Sequence, residues 1–153
     1  IKQIGRKPEL LDDPAVEGAV IKCISMLLPQ LPRKHRYKII FMTRAMEEVL
    51  ASQSTMIGRL GTEGAKVDPE QLERGLNVHR EDALRWMKGM RHIDFVEVDY
   101  AELVRAPQPI VATLAEFLGP EVLPNAAEMA AVVDPALYRK RHRAEGVPSD
   151  SSA

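Results

Sequence analysis

Arg44 and Ser52 are the two residues whose type and spacing first suggest chemistry. Arg44 directly follows the apolar run at 37–42, and a helical pattern begins beside it. A guanidinium there can grip a phosphate with paired donors, while the adjoining helix start offers free backbone N–H groups and a favourable dipole. Ser52, two turns into that helix, could add a hydroxyl donor to an anion lying along the first turns. The same spacing also permits a plainer role, in which Arg44 pairs with Glu47 or Glu48 at helical spacing and Ser52 faces water. His79 is the other candidate for chemistry. It falls on the inward stripe of a long helical pattern, three positions after Leu76 and four before Ala83. A histidine in such a place is more often a core or boundary residue than a base. His35 and His92 sit beside charges in connections and read as surface residues, and His142 lies within a basic run. The single cysteine, Cys23, has no partner for an internal disulfide, and nothing resembles a paired Cys/His zinc pattern, so no metal is implied.

These residues need elements to position them. Residues 37–42, β-branched and aromatic with little alternation, predict a parallel strand covered on both faces. After Thr43-Arg44 the apolar positions Met46, Val49, Leu50, Met56, Ile57 and Leu60 recur at near-helical spacing until Gly61. Ligands in open α/β sheets bind beyond the carboxyl ends of the strands, and Arg44 stands at such an end. Residues 19–25 read as another short, buried strand leading into a Pro-punctuated connection. Asp68-Pro69-Glu70-Gln71 supplies an N-cap, a proline at the first helical position and a capping-box-like glutamine, predicting a helix to about Met90. Its inward stripe is Leu72, Leu76, Ala83, Met87 and Met90, with Leu84 and Trp86 widening it. Residues 95–100 read as a third strand, 110–118 as a helix ended by Gly119-Pro120, and 126–132 as a shorter helix. Met26, Met42, Met46 and Met56 likewise fit core positions. Residues 1–18 form a lead-in segment and 144–153 a flexible tail. Strands alternating with helices imply an α/β fold, a mostly parallel sheet with helices on both faces.

The 153 residues, 45% hydrophobic and 28% charged, suit a single compact domain. A net charge of -1 argues against a broad nucleic-acid or membrane surface. No apolar run approaches the roughly 20 residues that cross a bilayer, and no basic-then-apolar leader stands at the start. A soluble, cytoplasmic protein is the expectation, with a homo-oligomer among the arrangements considered. The chain begins with Ile1, and a preceding segment is expected to be missing.

Tyr37-Lys38-Ile39-Ile40-Phe41-Met42-Thr43-Arg44, followed by Glu47-Glu48-Val49 and Ser52-Gln53, resembles the strand–Arg–helix–Ser segment of sulfotransferases that use the nucleotide sulfate donor PAPS. Lys22 with Leu28-Pro29 and Leu31-Pro32, residues 99–104, Phe117-Leu118-Gly119 and the ending 133–139 are also similar, the last to bacterial members above all. The resemblance runs from about residue 18 to residue 141. It implies a P-loop-NTPase-like sulfotransferase fold, present in part. It also implies that Arg44 and Ser52 bind the 3'-phosphate of PAPS or of its desulfated product PAP, and that Tyr100 approaches the adenine. Lys22 matches a lysine on the strand that leads to the family's catalytic histidine, which makes Lys22 a candidate for catalysis beside His79, whose candidacy rests on its place in the helical stripe alone.

Two departures limit the resemblance. Ile24 stands where the family's histidine would be, and an isoleucine accepts no proton. The Pro-Arg-Ser-Gly-Thr-like loop that cradles the 5' end of the donor is not present in these residues, and Gly58, Gly61 and Gly64 lack the Gly-Lys-Ser/Thr ending of a phosphate loop. The expectation is therefore a sulfotransferase that moves a sulfuryl group from PAPS to a hydroxyl or amine acceptor, with this piece supplying the 3'-phosphate and adenine side and inactive by itself. The alternatives are a nucleotide-kinase-like phosphotransferase and a non-catalytic binding domain of the same fold. The basic residues 139–143 could fold over the nucleotide or form a solvated charge run.

Overall fold

The computed structural model describes residues 8–59 and 68–138. Two strands pair in parallel, β1 (Tyr37–Thr43) and β2 (Ile93–Asp99), with Tyr37 opposite Ile93 and Thr43 opposite Asp99. The crossover between them carries α1 (Met46–Arg59) and α2 (Pro69–Lys88). Helices α3 (Tyr100–Arg105), α4 (Pro107–Leu118) and α5 (Ala126–Ala131) follow. Short 3-10 turns cover Pro8–Asp12, Pro14–Val16, Ser25–Gln30 and Pro135–Leu137.

Local chemistry explains most boundaries. Asp68 caps α2 by accepting from the Glu70 N–H at 3.1 Å, and Pro69 fills the first helical position, where no N–H is needed. Asp99 caps α3 by accepting from the Glu102 N–H at 2.9 Å. Gly119 ends α4 at φ 102°, a backbone region that side chains other than hydrogen seldom enter.

Strand periodicity then sorts the two faces of the sheet. Tyr37, Ile39, Phe41 and Phe95 pack against a buried cluster of Leu28, Ala83, Met87 and Ile93, so α2 and the turn Ser25–Gln30 cover one face. Lys38 points the other way and donates to the carbonyls of Phe117 and Leu118 at 2.8 and 2.9 Å. That contact places a cation at the negative end of α4. Val104, Val111, Leu114 and Ala130 are buried where α3, α4 and α5 pack in succession. The protein is thus a mixed α/β chain with a small parallel sheet and helices against both faces. Among the described residues no helix is long and apolar enough to cross a membrane.

The expected strand at 19–25 does not form. Residues 19–24 adopt no regular element, and Val20, Ile21 and Ile24 are exposed, Val20 by 93%. A strand needs a neighbour to take its N–H and C=O groups, and among the described residues β1 and β2 pair only with one another. An apolar run discloses the appetite for a strand but not its partner. Tyr100 also differs from expectation: the Asp99 cap turns the chain, so Tyr100 begins α3 instead of ending a strand. Helix α4 starts at Pro107, three residues before the predicted start, because proline is well suited to a first turn. Met87 is a core residue as expected, whereas Met26 and Met42 are 70% and 47% exposed. His35 does sit in a charged connection, its Nε2 2.7 Å from Asp12, whose other oxygen accepts from Lys34 at 2.6 Å. His92 is only half exposed and lies edge-on to Tyr37. Gly61, Gly64, His142 and the basic residues 139–143 lie outside the described residues.

Candidate functional site

Parallel pairing puts the ends of β1 and β2 side by side, so the residues that follow them emerge together. Arg44 leaves β1 and Tyr100 leaves β2. The Arg44 guanidinium carbon lies 5.0 Å from the centre of the Tyr100 ring. It lies 5.3 Å from the ring of Tyr138, and the two tyrosines meet edge to face at 5.2 Å with planes 88° apart. A cation among aromatic faces is attracted by the ring quadrupoles and loses little hydrogen bonding when part of its water is stripped.

Glu48, in the first turn of α1, completes the group. Its carboxylate accepts from Arg44 Nε at 2.5 Å and from the Tyr138 hydroxyl at 2.5 Å. The Glu48 side chain is only 4% exposed, against 29% for that of Arg44. A buried carboxylate persists only when its charge is matched and its oxygens are bonded, and both conditions are met here. The bond to Glu48 pushes the Tyr138 hydroxyl up from its ordinary value of 10.0, with burial and the Glu48 charge acting in the same direction. Tyr138 is brought to the site by a turn that Asp134 fixes, accepting from the Ala136 N–H at 2.8 Å while the Tyr138 N–H donates to Pro135.

The pairing of Arg44 with Glu48 is one of the two arrangements that helical spacing allowed; Glu47 is exposed. Ser52 is exposed one turn beyond Glu48 on α1, whereas Arg44 stands two residues before the helix and reaches Glu48 with its side chain. Of the predicted nucleotide-site residues, then, Arg44 and Tyr100 are in contact, and Ser52 lies one turn beyond Glu48 on α1. Tyr138 and the burial of Glu48 were not foreseen. Tyr138 lies 90 positions from Glu48, too far for any local pattern to link them.

The two catalytic candidates sit elsewhere. Lys22 is exposed on the irregular segment 19–24 rather than on a strand. His79 is partly buried in α2, and its Nε2 lies 2.7 Å from Ser25 Oγ. Ser25 is a residue that sequence reasoning passed over, since nothing local distinguishes it from other serines. Among the described residues no group of three or more His, Cys, Asp or Glu side chains is disposed to hold a metal ion. No family model, curated protein or solved structure matches the chain.

Proposed function

We propose that the chain serves a PAPS-dependent sulfotransferase, with Arg44, Ser52 and Tyr100 forming the 3'-phosphate and adenine side of the donor site. The observation that carries this reading is the contact of Arg44 with Tyr100 at 5.0 Å, beyond the carboxyl ends of two parallel strands. An arginine supplies the bidentate donors that a phosphate takes, and a tyrosine beside it supplies a flat surface for a base. Glu48 holds Arg44 through Nε and fixes the direction of the guanidinium plane. Ser52 lies one turn beyond Glu48 on α1, where its hydroxyl can donate to a second phosphate oxygen. The transfer itself is an in-line displacement to a hydroxyl or amine acceptor, in which cations stabilise charge at the bridging oxygen.

The buried ion pair favours a second reading, in which Arg44 is a structural clamp tying the turn before Tyr138 to α1, and the chain is a non-catalytic binding domain. Calorimetric titration with PAP and with adenosine 5'-phosphate, which lacks the 3'-phosphate, separates the two. The donor reading expects PAP to bind more tightly than adenosine 5'-phosphate. It expects Arg44→Ala to weaken PAP by about 2 kcal/mol or more, roughly thirtyfold, and Ser52→Ala by less. The exposed Ser52 site makes the second variant safe for folding, and circular dichroism checks the first. Equal binding of PAP by the folded wild type and both variants, or none by any of them, overturns the donor reading.

A further inference from the structure

Ser25 and His79 face a cleft of about 430 Å3 on the side of α2 that packs against the turn Ser25–Gln30. Leu28 and Ala83, 4% and 8% exposed, form its buried wall. Pro29, Trp86 and the largely exposed Met26 complete an apolar lining, and Asp82 is the one charged residue on it. Neither Arg44, Glu48 nor Tyr100 takes part, so the cleft is separate from the site at the strand ends.

We propose that this cleft binds a small neutral molecule with an aromatic or alkyl body and one hydroxyl group, an alcohol or phenol, whose hydroxyl bonds to the Ser25–His79 pair. The pair fixes the ligand's polar chemistry. If His79 Nε2 accepts the Ser25 proton, Ser25 Oγ keeps lone pairs that want a donor; if Nε2 carries the proton, the Ser25 hydroxyl is left as a donor that wants an acceptor. A ligand hydroxyl satisfies both cases because it donates and accepts. The lining offers no lysine or arginine to hold an anion, and its one charged residue, Asp82, is already paired with Arg85 at 2.6 Å. Apart from the single N–H of the Trp86 indole, the rest of the lining offers no further hydrogen-bonding side chain, so the body of the ligand must be apolar, and the indole ring favours an aromatic one. The volume lies within the ordinary range of small-molecule sites, roughly 300–1,000 Å3. This proposal does not rest on the donor reading.

Trp86 is the only tryptophan, so its fluorescence reports the cleft directly. The probes are 4-propylphenol and propylbenzene, titrated into the full chain. The expected result is a saturable Trp86 response to 4-propylphenol, with propylbenzene weaker by about tenfold, as befits one hydrogen bond to a partly buried pair. In Ser25→Ala with His79→Leu, which keeps the lining filled, that preference should fall to about twofold or less. Ser25→Ala alone, with unchanged circular dichroism, guards against misreading an unfolded double variant and should reduce the preference partly. An absent or non-saturable response in folded wild type, equal binding of the two probes, or an undiminished preference in the folded variants overturns the proposal. In each of those cases the Ser25–His79 bond serves only to tie the turn to α2.

Discussion

A single carboxylate, Glu48, decides how the residues at the strand ends behave. It bonds to the Arg44 guanidinium and accepts a hydrogen bond from the Tyr138 hydroxyl, so two groups far apart in sequence answer to one charge. The consequence shows in alkaline solution. Tyr138 has a raised pKa in the folded chain because the bond to Glu48 favours the neutral phenol. A group raised on folding contributes stability that is complete below its unfolded value, here 10.0, and loses it as pH climbs through the folded value. Tyr37 is raised too, chiefly by burial, so wild-type stability should decline on the alkaline side for two reasons. Denaturant unfolding of wild type and Tyr138→Phe between about pH 8 and about pH 11 isolates one of them. The stability advantage of wild type over Tyr138→Phe should shrink steadily above pH 10, and an advantage constant with pH would show that Glu48 does not hold the phenol.

At the scale of elements, the joint after α4 is the most exacting. Gly119 has φ 102° and ψ 151°, a combination open almost only to glycine, and a Cβ placed there would run into the Glu121 carboxylate. The flexible Glu121 side chain can move aside, so backbone strain is the larger part. Gly119→Ala should therefore cost about 1–3 kcal/mol of stability in urea unfolding, and a value near zero would mean that the helix end readjusts freely. The same joint was legible in the sequence as Gly119-Pro120, as were the Asp68-Pro69 start of α2, the strand at 37–42 and the helix from Met46, because in each case the signal is carried by residues next to one another. What was not legible depends on partners. The run at 19–25 has strand composition and no strand beside it. Asp99 was rightly read as part of a strand, but nothing showed that its side chain caps a helix starting at Tyr100. Arg44 and Tyr100 were put in one site by the family resemblance alone, whereas Tyr138 and Ser25 reach their partners across stretches of chain that no periodicity encodes.

For the molecule as a whole, the exposed apolar side chains matter most. Val20, Ile21, Ile24, Met26 and Met42 are exposed, four of them within one short segment of the chain. Such surface drives association. Sedimentation velocity should find the chain self-associating as concentration rises, and Val20→Lys with Ile24→Lys should shift it towards monomer while changing stability by no more than about 0.5 kcal/mol. Identical sedimentation of the two proteins would place the association elsewhere. The parallel register has a further consequence, one of timing. Thr43 Oγ1 donates to the Val98 carbonyl 55 positions along the chain, so the edge that holds Arg44 against Tyr100 closes only after a long crossover has been gathered. Closing long loops is slow, while helices such as α2 form from local contacts within microseconds. The strand-end cluster is accordingly assembled late in folding, and a ligand that bridges Arg44 and Tyr100 would act mainly as a brake on unfolding, lengthening the lifetime of the native chain more than it hastens its formation.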